Sequence, residues 1–558
     1  MSQLEVTTII PSEGTNTDLS LDGKGSGKVK IEDNIIITGD LQTTTAGTSN
    51  FVAGVNAGNS IESGGNYNVA VGDEAGTAIT TGDDNTFVGY TTGDATTTGS
   101  NNTAVGYGAL GANSTGGANT AIGKNALAAN TTADGNIALG TYSGASITTG
   151  GSNTLVGYQA GDHITTGSVN TFMGHLAGDA TTTGVNNVAV GANSLDANTT
   201  GYSNVAVGQA ALTTATTGYE NVAVGKDALG ALTDGFENTA VGNNSGAALT
   251  EGDQNTFLGN ASGQATTTAN YNTGLGHAAL ASNTTGAYNT AVGRRSLDAN
   301  TTGSYSTAMG NSALLSATTG GFNTAFGRDA ATAVTTGVSN TAVGERSLAA
   351  CTTANNNTTL GQLSGIAITT GYSSVMLGVS AGDTLTTGHN CIMIGHGSDV
   401  TATGSTHQMS ISTGGGAAKG NSSGFIDAGN GGVYQGNNAT AWTQTSDRRI
   451  KKDITPSTKG LQEINQIVPC TFYYKSDEEL NEIPEFEGCK ENLPQDVLTT
   501  SAIAQDVQKV FPEAVTERND YGMLAVQPDP IMWAMVNAIK ELSAEVAELK
   551  EWKAQHDG

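Results

Sequence analysis

The residues best suited to chemistry lie together in the segment SDRRIKKDI, from Ser446 to Ile454. It combines one serine hydroxyl, two carboxylates and four basic side chains. A serine hydroxyl is a poor nucleophile until a nearby base accepts its proton, and a lysine is such a base only when burial lowers its pKa. The simpler interpretation is a solvated helix start, where Ser or Asp caps the first turn. The segment by itself leaves both interpretations open.

Further blocks follow this segment in order along the chain. They are GLQEINQIVPCTFYYK, AIAQDVQKVFPEAV, YGMLAVQPDPIMWAMVNAIKEL and a terminal helix. Residues 446–558 therefore resemble the intramolecular chaperone auto-processing domain of peptidase family S74, which ends endosialidases and many phage tail fibres. The residues that fall on its signature S-D-x-R-x-K-x-x-I are Ser446, Asp447, Arg449, Lys451 and Ile454.

The resemblance implies a serine peptidase that acts once, in cis, and without a cofactor. It implies a cut between Thr445 and Ser446, with Ser446 as the nucleophile and Lys451 as the general base. Because Lys451 must be desolvated to lose its proton, we expect cleavage to depend on assembly. Arg449 would depress the pKa of Lys451 by like charge and Asp447 would oppose this. An Asp447–Arg449 ion pair that orients the cut is the alternative.

The terminal helix carries an apolar seam with alternating spacings of three and four, which is typical of a coiled coil and favours a trimer. A helix that packs on its own domain has a similar pattern over this length, so that alternative stays open. Pro528 and Pro530 lie where the helix is expected to begin. The seam residues are Met532, Met535, Ile539, Leu542, Val546 and Leu549.

Upstream, a 17-residue period dominates the chain. Twenty units run from Asn68 to the unit that begins at Cys391, and each has Gly four residues after its first residue, from Gly72 to Gly395. The consensus is N-T-A-V-G-x-x-A-L-x-A-x-T-T-G-x-x, and an imperfect copy begins at Asn50. Such a period is the signature of a solenoid, in which no unit folds alone.

Each unit predicts two short strands, one in NTAVG and one in the A-L-x-A-x-T-T-G half, with a turn after each. Stacking would bury a thin core of small side chains, and the repeated Asn would form a ladder of amides. With about 4.8 Å per coil, 20 coils give a shaft of roughly 95 Å. The units resemble the head repeats of trimeric autotransporter adhesins, which form a parallel β-roll. The predicted fold class is thus mainly β, a homotrimeric β-roll followed by a small α+β domain.

We divide the chain into an attachment or capping segment (1–49), the repeats (50–400), a Gly/Ser-rich connector and distal tip (401–445) and the chaperone domain (446–558). The repeat and the C-terminal resemblance together predict a virion tail fibre, made and processed in the host cytoplasm. Its expected partners are the phage tail or baseplate at the N-terminus and a host receptor, with a glycan favoured. A fibre that also degrades polysaccharide and a bacterial surface adhesin are the alternatives.

Composition excludes several other functions. The net charge of −28 argues against binding to nucleic acid or anionic membranes. The N-terminus lacks the pattern of a signal peptide, and no apolar run is long enough to span a membrane, so neither is expected. Four scattered cysteines suggest reduced thiols. The cluster His389, Cys391, His396 and His407 is a weak candidate for a metal site, and we predict no metal.

Paired threonines recur at the thirteenth and fourteenth positions of many units. Thr ladders are one route to ice binding, but Thr is also favoured beside turns in β structure. We favour the structural role. Examples are Thr199–Thr200, Thr216–Thr217, Thr284–Thr285 and Thr301–Thr302.

Overall fold

The computed structural model describes residues 45–414, 416–418, 424–427, 433–435, 443–444, 448, 452–484, 498–517 and 524–556. The chain divides into two compact units, Met1–Thr445 and Ser446–Gly558. The first is a long parallel β-solenoid, and the second is a small α+β unit that ends in a helix.

The solenoid contributes one short strand from each coil to a continuous parallel ladder, and each strand pairs with the strand of the next coil. The predicted parallel β-solenoid is therefore confirmed. Its strands β1 to β22 are Phe51–Ala53, Val69–Val71, Thr86–Val88, Thr103–Val105, Thr120–Ile122, Ile137–Leu139, Thr154–Val156, Thr171–Met173, Val188–Val190, Val205–Val207, Val222–Val224, Thr239–Val241, Thr256–Leu258, Thr273–Leu275, Thr290–Val292, Thr307–Met309, Thr324–Phe326, Thr341–Val343, Thr358–Leu360, Val375–Leu377, Ile392–Ile394 and Met409–Ser412.

Among the described residues between β22 and the end of the first unit, three more strands follow. β23 (Gly424–Asp427) continues the parallel ladder beside β22, so the ladder extends into the segment 401–445. β24 (Val433–Gln435) and β25 (Thr443–Gln444) then add to the sheet in antiparallel orientation.

The coil Asn221–Glu237 illustrates how a unit folds, with its residues numbered as positions 1 to 17. The strand occupies positions 2 to 4, and its middle residue, Ala223, points inward and is fully buried. Ala228, Leu229 and Leu232 complete the core of this coil. Because four apolar side chains cannot stabilise a folded unit by themselves, the stability of each coil depends on its neighbours.

Position 1 forms the predicted ladder of asparagine amides. Asn221 donates its side-chain amide to Oδ1 of Asn204 at 3.2 Å and to the carbonyl of Gly235 at 2.8 Å. Its backbone N–H donates to the same Oδ1 at 3.1 Å. The asparagine is fully buried, so this pairing satisfies polar groups that would otherwise be costly inside the core.

The second half of each coil contradicts the prediction of a second strand. Positions 7 and 9 take left-handed backbone conformations, with φ of 55° at Asp227 and 48° at Leu229. Two such residues, with only one residue between them, break the extended geometry, and the segment becomes a run of tight turns. Its N–H groups still bond to neighbouring coils, as in Leu229 to Ser245 at 3.0 Å and Thr233 to Thr250 at 2.9 Å.

Glycine at position 5 has two roles in the coil. Gly225 has φ of 137°, which L-residues rarely adopt, and a Cβ there would lie 2.4 Å from the carbonyl oxygen of Gly242. The close stacking of coils at this corner therefore requires glycine.

Positions 3 and 9 compensate for each other in volume. Most coils combine a small residue at position 3 with Leu or Gly at position 9, whereas three coils place Phe at position 3 and Gly at position 9. In the pair Phe172 and Gly178, a Cβ on the glycine would lie 2.3 Å from the ring. The Phe ring at position 3 thus fits because position 9 of the same coil has no side chain.

The outer surface carries ladders of its own. At position 13, Thr216 donates its hydroxyl to the carbonyl of Thr233 in the next coil, and the same bond recurs along the solenoid. This supports the structural role of the first Thr of each pair. Aromatic rings also stack on the surface, with Tyr288 and Tyr305 at 4.9 Å between ring centroids.

In its described residues, the C-terminal unit contains two small antiparallel sheets and four α-helices. The strands are β26 (Pro469–Phe472), β27 (Thr499–Ala502), β28 (Val515–Glu517) and β29 (Leu524–Val526). β26 pairs with β27, and β28 pairs with β29. The helices are α1 (Leu461–Ile464), α2 (Asp477–Asn481), α3 (Ala504–Val510) and α4 (Pro528–His556), and a 3₁₀ turn spans Pro512–Ala514.

Candidate functional site

The residues proposed to cut the chain lie outside the described residues. The structure therefore gives no geometry for the Ser446–Lys451 pair, and these roles stay predictions. Ile454, the last residue of the signature, is described and is 52% exposed. The predicted site residues that lie outside the described ranges are Thr445, Ser446, Asp447, Arg449 and Lys451.

The segment that follows the signature is anchored to the rest of its unit by Lys459. Its Nζ lies 3.1 Å from a carboxylate oxygen of Glu513 and 4.6 Å from the centre of the Phe511 ring, and it also donates to the carbonyl of Val510. Glu513 has a lowered pKa, because its own backbone N–H stabilises the carboxylate and Lys459 adds to this effect. One side chain thus connects this segment to α3 and the turn that follows it.

Helix α4 holds the same segment from a second side. Asn537 donates its side-chain amide to the carbonyls of Ser457 at 3.2 Å and Lys459 at 3.0 Å. Glu541 accepts the backbone N–H of Leu461 at 2.7 Å. The terminal helix therefore fixes the backbone that begins only a few residues after Ile454.

A small apolar core lies beneath these contacts. Val507, Phe511 and Ala514 are almost fully buried, and Ala534 of α4 joins them with 1% exposure. The backbone N–H of Gln527 donates to the carbonyl of Ala514 at 2.6 Å and ties the start of α4 to this core. The helix is therefore packed on its domain through small alanine side chains.

The predicted seam of α4 faces away from that core. Its six residues are between 41% and 63% exposed, whereas Ala534 and Ala538 on the packed side are 1% and 5% exposed. Met535, Ile539 and Leu542 line an apolar groove with Leu461 and Ile464 of α1. A single chain therefore leaves the seam available, and its role in a coiled coil stays a prediction.

The histidines after the last repeats do not gather around Cys391. His389 stacks on Tyr372 at 4.5 Å, and Asn390 bonds to both His389 and His407. Cys391 is buried, burial raises the pKa of its thiol, and its Sγ lies 3.4 Å from the carbonyl of Ser405. The thiol thus belongs to the core of the solenoid.

Ligand atoms of the kind that bind metals come together elsewhere in the described chain. Asp162, His163 and Asp179 each offer one ligand atom, and these atoms lie within 4.8 Å of one another. The His163 side chain is 59% exposed, and its Nδ1 lies 3.4 Å from Oδ1 of Asp179. The cluster is thus a close contact between the exposed His163 and the partly buried Asp179, with the Asp162 carboxylate beside them. Cys351, Cys391 and Cys470 are free thiols, and burial raises the pKa of Cys351 to about 11.

Comparison with known proteins identifies one region. Residues 446–516 match the family model described as Peptidase_S74, chaperone of endosialidase. A search of curated proteins found no match. The C-terminal match and the long solenoid together support the resemblance to endosialidase-type and tail-fibre proteins, and the family implies an autoproteolytic chaperone. Within the described residues, none of the helices combines the length and apolarity needed to cross a bilayer.

Proposed function

We propose that this chain is the subunit of a virion tail fibre, and that its C-terminal unit directs assembly and then cuts itself off between Thr445 and Ser446. The observation that carries the proposal is where the family match begins, at Ser446. The boundary between the two compact units falls at the same peptide bond. Cleavage there would release one whole unit and leave the solenoid intact.

The chemistry follows from the residue types. The hydroxyl of Ser446 would attack the carbonyl carbon of Thr445, and its proton would pass to the neutral amine of Lys451. The same proton would then go to the leaving nitrogen of Ser446, and Thr445 would be left joined to the Ser446 hydroxyl oxygen as an ester. Water would hydrolyse this ester, which frees the carboxylate of Thr445 and the hydroxyl of Ser446 and completes the cut. Because a solvated lysine is charged at neutral pH, burial on assembly would switch the reaction on.

A homotrimer is part of the proposal. The apolar seam of α4 is exposed in one chain, and the resemblance to tail fibres implies three copies. Three helices that bury this seam against one another would remove six exposed apolar side chains per chain from water. Attachment to a tail or baseplate and binding of a host receptor rest on the resemblance alone.

Intact-mass measurement after expression tests the cleavage. The parent chain should split before Ser446, while Ser446→Ala and Lys451→Ala should stay whole. Lys452→Ala is the matched control, since Lys452 is the neighbouring lysine outside the signature, and it should still be cut. A parent chain that stays whole as a folded oligomer would exclude the peptidase and leave a purely structural fibre.

A further inference from the structure

One outward row of the solenoid is apolar along its whole length. At position 4, every residue from Val71 to Ile411 is Val, Ile, Leu, Met or Phe, in 21 successive coils. Position 4 points away from the core, because side chains alternate along a strand and position 3 is the buried one. We call this row the apolar stripe. Several of its members are well exposed, with Phe326 at 52%, Leu360 at 50% and Met173 at 45%, and others, such as Met309 and Leu377, are partly exposed.

Strand propensity alone does not account for the stripe. Position 2 lies in the same strand and also points outward, and it is Thr in 13 of the same 21 coils. Thr and Val are both favoured in strands, so strand formation would permit Thr at position 4 as well. Position 4 is never Thr or any other polar residue in these coils. The side chain at position 4 is therefore selected for being apolar.

The exposed area is too large for a surface that faces water. The two outward rows form a strip in which position 4 is apolar in all 21 coils and position 2 is Thr or apolar, whereas soluble monomers rarely leave contiguous apolar patches larger than about a few hundred Å² exposed. They also carry no charge in any of these coils. The first 445 residues hold 10 basic and 29 acidic residues, a net charge of −19. Copies of the chain therefore repel each other over most of their surface but not along the stripe.

We propose that the apolar stripe is the surface through which copies of this chain pack against one another, parallel and in register, along the axis of the fibre. Successive strands from Val69–Val71 to Met409–Ser412 repeat every 17 residues, so in a parallel arrangement each position 4 meets the same position of its neighbour. A rotation axis that runs along the stripe gives a closed assembly. The inference deepens the proposed function and takes from it the number of copies, whereas the surface is argued from the solenoid alone.

Proximity of the stripe between copies is tested with two cysteine variants of one coil in the full chain. Val207→Cys places a thiol on the stripe, and Thr217→Cys places one on an exposed turn of the same coil. Val207→Cys should form interchain disulfides on mild oxidation, seen as a doubled mass on a non-reducing gel. Interchain crosslinking of Thr217→Cys should stay at the level seen for the parent chain, whose Cys351 and Cys391 are buried.

The outcomes separate this inference from the proposed function. Equal crosslinking of the two variants, or none at Val207→Cys, would overturn the inference, as would a native mass of one copy. Native mass spectrometry of the parent chain reports the number of copies, and intact mass reports cleavage before Ser446. A cleaved shaft that stays monomeric would overturn the proposal that the stripe is an interface, but it would support the peptidase. An uncleaved chain that crosslinks at the stripe would support the interface and overturn the peptidase.

Discussion

Oδ1 of Asn204 accepts two hydrogen bonds from Asn221 of the next coil, one from the backbone N–H at 3.1 Å and one from the side-chain amide at 3.2 Å. Asn204 in turn donates its own amide to the carbonyl of Gly218 at 2.8 Å. One side chain thus satisfies polar groups of two coils. Repetition of this arrangement forms a continuous hydrogen-bonded ladder of asparagines along the solenoid.

Replacement of Asn204 by Ala should destabilise the shaft by about 3 kcal/mol, because it leaves buried polar groups of Asn221 and Gly218 without partners. Asn204→Ser should cost about 1 kcal/mol, since a hydroxyl can still accept one bond. The chain contains this arrangement, because Ser306 accepts the backbone N–H of Asn323 at 3.2 Å. Urea unfolding gives the free energies, and hydrogen exchange at these coils shows local opening. Equal costs for the two variants would contradict the role of the ladder.

The coupling of positions 3 and 9 predicts a rescue. In the coil that begins at Asn204, Ala206→Phe should overpack the core by about 2 kcal/mol, and Leu212→Gly should leave a cavity that costs about 3 kcal/mol or more. The double variant reproduces the pair found at Phe172 and Gly178 and should be more stable than either single variant. A double-mutant cycle on urea unfolding measures the coupling. Simple additivity of the two costs would refute the compensation.

The sequence predicted the solenoid well because its period repeats every important residue. The first strand and the repeated Asn recur at fixed positions, so their roles followed from the pattern. The prediction of a second strand was wrong because Asp227 and Leu229 take left-handed conformations, which could not be inferred from their residue types. Only stacking against the neighbouring coils makes that backbone favourable.

The C-terminal unit was less predictable in its contacts. The signature and the seam are visible in the sequence, but Asn537, Glu541 and Lys459 carry no motif. Glu541 and Leu461 are 80 residues apart, so no local pattern connects them. The arrangement of the proposed catalytic pair is a further property that the described residues do not include.

Half-buried carboxyls with raised pKa values predict that the solenoid is more stable at mildly acidic pH than at neutral pH. Burial, with a smaller contribution from Asp383, raises the pKa of Asp399 to about 6 from its ordinary value of 3.8. The folded state therefore binds the proton more tightly than the unfolded state, and the free energy of unfolding falls as pH rises from about 4 to about 6. Burial also raises the pKa of Asp94, Asp179 and Asp196, in the same direction.

Asp399→Asn tests this dependence. In the parent chain the backbone N–H of Val400 donates to Oδ1 of Asp399 at 2.8 Å, and the amide oxygen of Asn can still accept this bond. The variant should raise the melting temperature at pH 7 and reduce its change between pH 4 and pH 6. Thermal unfolding followed by circular dichroism across this range supplies the measurement. A variant with the same pH slope as the parent would show that Asp399 does not titrate as argued.

The terminal helix should control cleavage through Asn537 and Glu541. Both side chains hold the backbone at residues 457–461, which follows the signature directly. If assembly of α4 positions the signature segment that carries the proposed catalytic pair, loss of these hydrogen bonds should slow cleavage while the copies of the chain stay assembled. Asn537→Ala removes two hydrogen bonds of about 1 kcal/mol each, so we expect cleavage to slow by about tenfold or more.

The matched control is Lys540→Ala, an exposed residue of the same helix, which should be cleaved at the parent rate. Intact mass at timed intervals gives the cleavage rate, and native mass gives the number of copies. A variant Asn537→Ala that is cut at the parent rate would show that the helix does not act through this contact. One that loses its assembly together with cleavage would indicate a role in folding rather than in positioning. Slow cleavage in an intact assembly is the result that links the helix to the cut, because only the held segment then differs between variant and control.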